Sequence, residues 1–140
     1  MQERTLMIIK PEIIQKRNAG NIITRVEKEG FVITTMRMLQ LTRTQAADFY
    51  AIHKDKPFFN GLLDYITSGP VIVARLERDN AVEKWREVIG ATDPKKAAPG
   101  TIRALYGESI ERNAVHGSDS VENGRIETDF FFRVLESYSF

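Results

Sequence analysis

One of only two histidines in the chain, His116, stands in the segment NAVHGSDSVENG, which runs from Asn113 to Gly124. The short apolar run before it ends a candidate strand, and Ser118 or Ser120 after it is placed to cap a helix. Free backbone N–H groups and the positive end of a helix dipole favour an anion at such a junction. An imidazole there is suited to attack a phosphoryl group, provided one ring nitrogen is unprotonated toward the substrate and the other is oriented by an acceptor. Glu127, on the following helix, is one acidic candidate for that acceptor. Lys10 is a second chemical group at a strand end, because the apolar run RTLMIIK stops there and Pro11 cannot continue a sheet ladder. Taken singly, each residue has an ordinary explanation. A histidine before glycine is a common turn residue, Lys10 a solvated terminus, Arg86 a surface charge, and Phe58 beside Phe59 core. His53 suits a structural position on a helix with Phe49 and Tyr50, and receives no role.

Several chemistries are excluded by what the chain lacks. No P-loop, dinucleotide fingerprint, HExxH or G-x-S-x-G elbow occurs, and with no cysteine there is neither a disulfide nor a thiolate metal site. Lys plus Arg is 20 against 19 for Asp plus Glu, so no broad polycationic face is available for nucleic acid, and any phosphate binding must be local. The apolar run near the start, Leu6 to Ile9, is too short for a membrane span or a signal-peptide core. A soluble protein of a reducing cytoplasm, with no membrane partner, is the expectation. The 140 residues suit one domain, 1–140, able to bury ~70% of the surface its unfolded chain exposes.

Strand and helix patterns alternate along the chain. RTLMIIK reads as a buried strand, and Ile22, Ile23 and Val26 share a helical face that Gly30 can end. Phe31 to Leu41 is β-branched and apolar, and Thr42 with Gln45 has the spacing of a capping box ahead of a helix carrying Ala46, Phe49 and Tyr50. NGLLDYITSG is a short helix, VIVARL a third strand, and Val82, Trp85, Val88 and Ile89 form the inward face of a helix capped by Asp79 or Asn80 and ended by Gly90. From Gly90 to Asn113 no period is sustained, and a stretch of that length inside a domain is often functional. NAVH is a fourth strand candidate ahead of the last helix, inside which Gly124 costs ~1 kcal/mol relative to alanine and draws the expected start later. This order allows either a parallel doubly wound sheet or a split β-α-β arrangement with an antiparallel sheet.

The segments TLMIIKPE, FYAIHKDKPFF, SGPV, NAVEKWREVIGATDP, PGTIR and NAVHGSDS occur in that order over nearly the whole chain. Together they resemble the nucleoside diphosphate kinase family, in its shorter bacterial form. The resemblance implies an α+β fold with a ferredoxin-like βαββαβ core: a four-stranded antiparallel sheet with helices packed on it. It implies that His116 is phosphorylated on Nδ1 in a ping-pong exchange between nucleoside triphosphates and diphosphates, with broad base specificity. Lys10 would touch the terminal phosphate and the sugar 3′-hydroxyl, Asn113 would share the sugar, and Tyr50 would support the lysine. Arg86 and Thr92 would hold the inner phosphates, Arg103 the transferred group, and Phe58 would stack on the base, a contact any base offers. Ser118 and Glu127 would orient and polarise His116. Mg²⁺ would arrive on the nucleotide, with no protein metal site beyond Asp119 through water. A homo-oligomer, tetramer or hexamer, is also implied. The competing reading, a ferredoxin-like RNA-binding module, expects strand aromatics beside a basic sheet face, and VIVARL carries none. A catalytically silent relative would have to lose family positions that are all present.

Overall fold

Strand β1 (Glu3–Ile9) lies inside a four-stranded sheet of order β2-β3-β1-β4, with β2 spanning Val32–Leu39, β3 Val71–Arg78 and β4 Val115–His116. Every neighbouring pair is antiparallel, so the split arrangement holds and the doubly wound alternative falls. The structure is a computed structural model and describes residues 2–132 and Tyr138. Seven helices are seen among those residues: α1 (Pro11–Gln15), α2 (Ala19–Lys28), α3 (Arg43–Phe49), α4 (Phe59–Ile66), α5 (Ala81–Ile89), α6 (Ile102–Tyr106) and α7 (Val121–Phe131).

The two-residue period of a strand decides what each side chain meets. On β1, Leu6 and Ile8 enter one apolar cluster with Ala46, Tyr50, Leu63 and Ile66, whereas Met7 and Ile9 enter another with Ile22, Val26, Trp85 and Ile89. β3 splits in the same way, Val71 and Val73 against Ile72, Ala74 and Leu76. Both faces of the central strands are thus dry, which explains why VIVARL and TLMII read as continuous apolar runs rather than alternating ones. Trp85 is fully buried and meets Phe31 edge-on, with ring centroids 5.7 Å apart.

The capping box is present in both directions: Gln45 N–H donates to Thr42 Oγ1 at 3.1 Å and Thr42 N–H to Gln45 Oε1 at 3.0 Å. Of the two serines offered as caps for the last helix, Ser120 does it, accepting from Asn123 N–H at 3.0 Å. That helix begins at Val121 and runs through Gly124 without interruption. Gly124 faces β1 so closely that a β-carbon there would lie 2.3 Å from the Arg4 carbonyl oxygen. The glycine that weakens the helix locally is what lets it dock. Pro11 both ends β1 and opens α1 at its first position, and α6 forms within the stretch that shows no period. The apolar run from Phe130 to Phe140 lies outside the described residues beyond Phe132, Tyr138 excepted.

Candidate active site

Strand β4 is only two residues long, and its register against β1 pairs Ile8 with His116. Paired residues of an antiparallel ladder share a face, so the imidazole emerges on the Leu6 and Ile8 side, where the Phe49 ring lies edge-on at 5.8 Å. Helix α7 covers the same side and brings Glu127 back across the sheet. His116 Nε2 lies 2.8 Å from Glu127 Oε1, the contact that sequence spacing left open. An ionised carboxylate only accepts, so the proton of this bond is assigned to Nε2, and in the neutral imidazole the lone pair then falls on Nδ1. Buried Ser118 secures the carboxylate in turn: its hydroxyl donates to Glu127 Oε1 at 2.7 Å and accepts from Leu6 N–H at 3.1 Å. The backbone is held from the other face, where the Trp85 indole N–H donates to the His116 carbonyl at 3.1 Å. Gly117 permits this contact, since a β-carbon on it would stand 2.7 Å from the indole.

Three cations surround this strand end. Lys10, 7% exposed, donates from Nζ to Asn113 Oδ1 at 2.6 Å, and Asn113 Nδ2 donates to the Thr92 carbonyl at 3.2 Å. Burial, and then the charge of Arg103, lower the lysine to about 8, against the upward pull of Glu12. Arg103 donates to the carbonyls of Gly90 at 3.0 Å and Val115 at 2.9 Å, while its buried Nε–H meets no protein acceptor among the described residues. Burial and the neighbouring charge of Arg86 bring it down to about 10. Arg86 donates to the Asp119 carbonyl at 3.3 Å. Buried cations that stand near one another, as Lys10 does to Arg103 and Arg103 to Arg86, gain from an anion placed among them.

Two hollows meet at Thr92. The larger, about 750 Å³, is walled by Arg86, Thr92, Arg103, Gly117 and Asp119. The smaller, about 390 Å³, has a more apolar wall of Phe58, Leu62, Tyr65 and Ile110, with Lys10 and Thr92 at its edge. Phe58 is 45% exposed, so one edge of the smaller hollow presents an accessible aromatic ring. A molecule with a flat apolar end and an anionic end matches this pair in size and polarity.

His116, Ser118 and Glu127 therefore form one contact group, Lys10, Asn113 and Thr92 a second, and Arg86, Arg103 and Asp119 a third. Tyr50 makes no hydrogen bond to any of these residues among the described ones, though it lies near enough to Glu127 to feel its charge. It is buried beside Phe49, its phenol pushed above the usual range by burial and by the charge of Glu127. The ring facing Lys10 Nζ, at 5.6 Å, is Tyr65. Sequence reasoning missed Tyr65, its partner Glu12, and the hollow's Leu62 and Ile110. Glu12 closes the quoted segment TLMIIKPE, a signal that could have singled it out, whereas nothing local marks Tyr65, Leu62 or Ile110.

The sequence model of the family described as nucleoside diphosphate kinase matches residues 3–137. Among curated relatives, the nucleoside diphosphate kinase of a Nitratiruptor species is 59% identical over 134 residues, covering 96% of this chain and 98% of the relative. That of Wolinella succinogenes is 55% identical over 130 residues, 93% of this chain and 95% of its own. Of solved structures, the Aquifex aeolicus nucleoside diphosphate kinase superposes with a TM-score of 0.95 at 41% identity, over 98% of this chain and 99% of that one. The Halobacterium salinarum enzyme in complex with CDP gives 0.96 at 38% identity, over 100% of this chain and 93% of that one. A match along nearly the full length, in sequence and in fold, sets the conclusion: this chain belongs to the nucleoside diphosphate kinase family.

Proposed function

We propose that His116 carries the phosphoryl group between two nucleotides. The exchange itself, a γ-phosphate passed from a nucleoside triphosphate to a nucleoside diphosphate, is the activity of the family to which the chain belongs. The observation that carries the histidine mechanism is the 2.8 Å bond from Nε2 to Glu127, which leaves the lone pair on Nδ1. In the first half-reaction Nδ1 attacks the γ-phosphorus, the bond to the β-phosphate oxygen breaks, and the diphosphate leaves with the electron pair. The Nε2 proton stays hydrogen-bonded to Glu127, whose charge offsets the positive charge the ring acquires. In the second half a terminal oxygen of the incoming diphosphate attacks the same phosphorus and the N–P bond breaks. Lys10 and Arg103 stabilise charge on the transferred oxygens, Arg86 and Thr92 hold the inner phosphates, and Asn113 steers Lys10 and the sugar. Labelled γ-phosphate from ATP, given without acceptor, tests this reading. It should appear stoichiometrically on His116, stable to alkali and labile to acid, and leave as GTP on addition of GDP. Label on Ser118 or Ser120 instead would refute the mechanism.

Mg²⁺ fits as a passenger of the nucleotide. Among the described residues no three of His, Cys, Asp and Glu are grouped to hold an ion; Asp119 is one of the residues that wall the arginine-lined hollow, its Oδ1 accepting from Asn123 Nδ2 at 2.5 Å. When bound, the ion would neutralise phosphate charge, and Asp119 is the residue we assign to a contact with it through water. We also read residues 1–140 as one domain, the protein as cytoplasmic on its lack of cysteine, and the chain as a protomer of a homo-oligomer. Exposed Val32, Met36 and Met38 on strand β2 offer apolar surface for that assembly. Among the described residues no helix is long and apolar enough to cross a membrane.

Two predictions belong to the phosphate and base ends. Phe58→Ala should raise the Kd for ADP roughly tenfold, the worth of one stacked base, and leave single-turnover transfer at saturation nearly intact. All four ribonucleoside triphosphates should serve as donors with similar efficiency, and unaltered ADP affinity in the variant would remove Phe58 from the site. The second concerns pH. Lys10 acts as a cation and its free-state value is about 8, so kcat/KM should fall as pH rises through that value. Bound phosphate favours the ammonium, so the alkaline limb of kcat should lie higher than that of kcat/KM. Profiles flat to well above 8 would show that Lys10 keeps its proton by other means.

A further inference from the structure

Ala114 has φ of 76°, in the left-handed region that a β-carbon disfavours, and Val115 N–H bonds back to the Asn113 carbonyl at 2.9 Å. A bond from residue i+2 to i about such a centre is the pattern of a γ-turn, rare and strained. The turn lies between Asn113, which holds Lys10, and the two-residue strand that carries His116. A strained turn persists only if its surroundings over-determine it. Here both its polar groups are gripped: the Ala114 carbonyl accepts from Lys10 N–H at 3.0 Å, and the Ala114 N–H donates to Glu12 Oε1 at 3.3 Å.

Glu12 is 2% exposed and sits on α1, two residues past Lys10. Its carboxylate is held by Tyr65 of α4, whose hydroxyl donates to Oε1 at 2.5 Å and also bonds to Oε2. Burying a carboxylate is costly unless its lone pairs are filled and cations stand near. The Tyr65 hydroxyl and the Ala114 amide donate to it, and the charges of Lys10 and Arg112 lie within its field. The Tyr65 ring in turn faces Lys10 Nζ from 5.6 Å and Arg112 from 5.3 Å. No step of the transfer uses either residue.

Resting on the histidine mechanism above, we propose that Glu12, clamped by Tyr65, is a positioning residue for phosphoryl transfer. It ties the strained turn at Ala114 to the end of β1, so that Lys10 and His116 keep one mutual geometry toward the phosphate. Four groups face the lysine: the Asn113 side-chain oxygen Oδ1, the Tyr65 ring, the cation of Arg103 and the carboxylate of Glu12. Removing the Glu12 charge alone therefore leaves the ammonium with burial and Arg103 against it.

The test compares wild type, Glu12→Gln and Tyr65→Phe, the last keeping the ring beside Lys10. Single-turnover labelling of the protein by γ-labelled ATP at saturation should slow roughly 10- to 100-fold in both variants, the usual effect of misplacing reacting groups by up to an ångström. Affinity for ADP should stay close to wild type. In Glu12→Gln the alkaline limb of kcat/KM should also move to lower pH, by roughly half a unit to one unit. Folded variants that label at the wild-type rate overturn the proposal, as does a loss found wholly in ADP affinity or an unmoved alkaline limb in Glu12→Gln. If Glu12→Gln does not fold, the labelling rate of Tyr65→Phe decides alone. A wild-type protein that takes no label on His116 defeats the histidine mechanism instead, so the two failures are distinct.

Discussion

His116→Ala is expected to bind ADP as tightly as wild type and to lose both half-reactions, with kcat falling at least ~10⁴-fold, as when a nucleophile is removed from an otherwise intact site. The two halves of this expectation come from different contacts. Binding rests on Phe58, Lys10, Arg86 and Arg103, none of which bonds to the imidazole among the described residues. Transfer needs the Nδ1 lone pair, and neither Ser118 nor Glu127 can replace it, because the serine hydroxyl is already committed to the carboxylate and to Leu6 N–H. Calorimetric titration with ADP and labelling with γ-labelled ATP separate the two effects. A variant that still exchanged phosphate between ATP and GDP would show that another group is the carrier.

Gly124→Ala carries the largest expected cost to stability. Two effects oppose each other. Alanine gains ~1 kcal/mol in helix propensity, whereas overpacking typically costs about 1–3 kcal/mol and occasionally more. The obstacle decides between them. The new methyl would lie 2.3 Å from the Arg4 carbonyl oxygen, a backbone atom of the central strand that cannot swing aside as a side-chain end does. Helix α7 must then retreat from β1, and a net loss of about 2 kcal/mol is expected, lowering Tm by roughly 5 °C. Glu127 lies one turn further along the same helix, so labelling of His116 should slow as well. Thermal melts and single-turnover labelling read the two effects. A Gly124→Ala protein as stable as wild type would disprove the packing account.

What the sequence made legible follows from how local each cause is. Trp85, Val88 and Ile89 show their inward face because a nine-residue helix completes more than two turns, and the Thr42 and Gln45 capping box announces itself within four residues. Helix α6 is invisible to such reasoning: five residues are too few to display a period, and it is started by Thr101 accepting from Ala104 N–H at 3.3 Å. Propensity marks Gly124 as a weak point, whereas its reason is a strand 120 residues earlier at Arg4. The candidate site residues stood out for a different reason. His116, Arg103 and Lys10 lie in compact segments, HGSDS, PGTIR and TLMIIKPE, whose order resembles a family; Glu12 closes the last of these, but its bond to Tyr65 spans 53 positions and no spacing rule links the two.

The chain has a single tryptophan, and its indole donates a hydrogen bond to the carbonyl of the residue we assign as phosphate carrier. An indole that is fully buried and fixed at its N–H emits according to the local field, and no second indole is present to blur the signal. Phosphorylation places about two negative charges on the ring of that same residue. If His116 is the carrier, the emission of Trp85 is expected to change on addition of ATP and to return on addition of GDP, so that stopped-flow fluorescence of the unlabelled protein would follow each half-reaction.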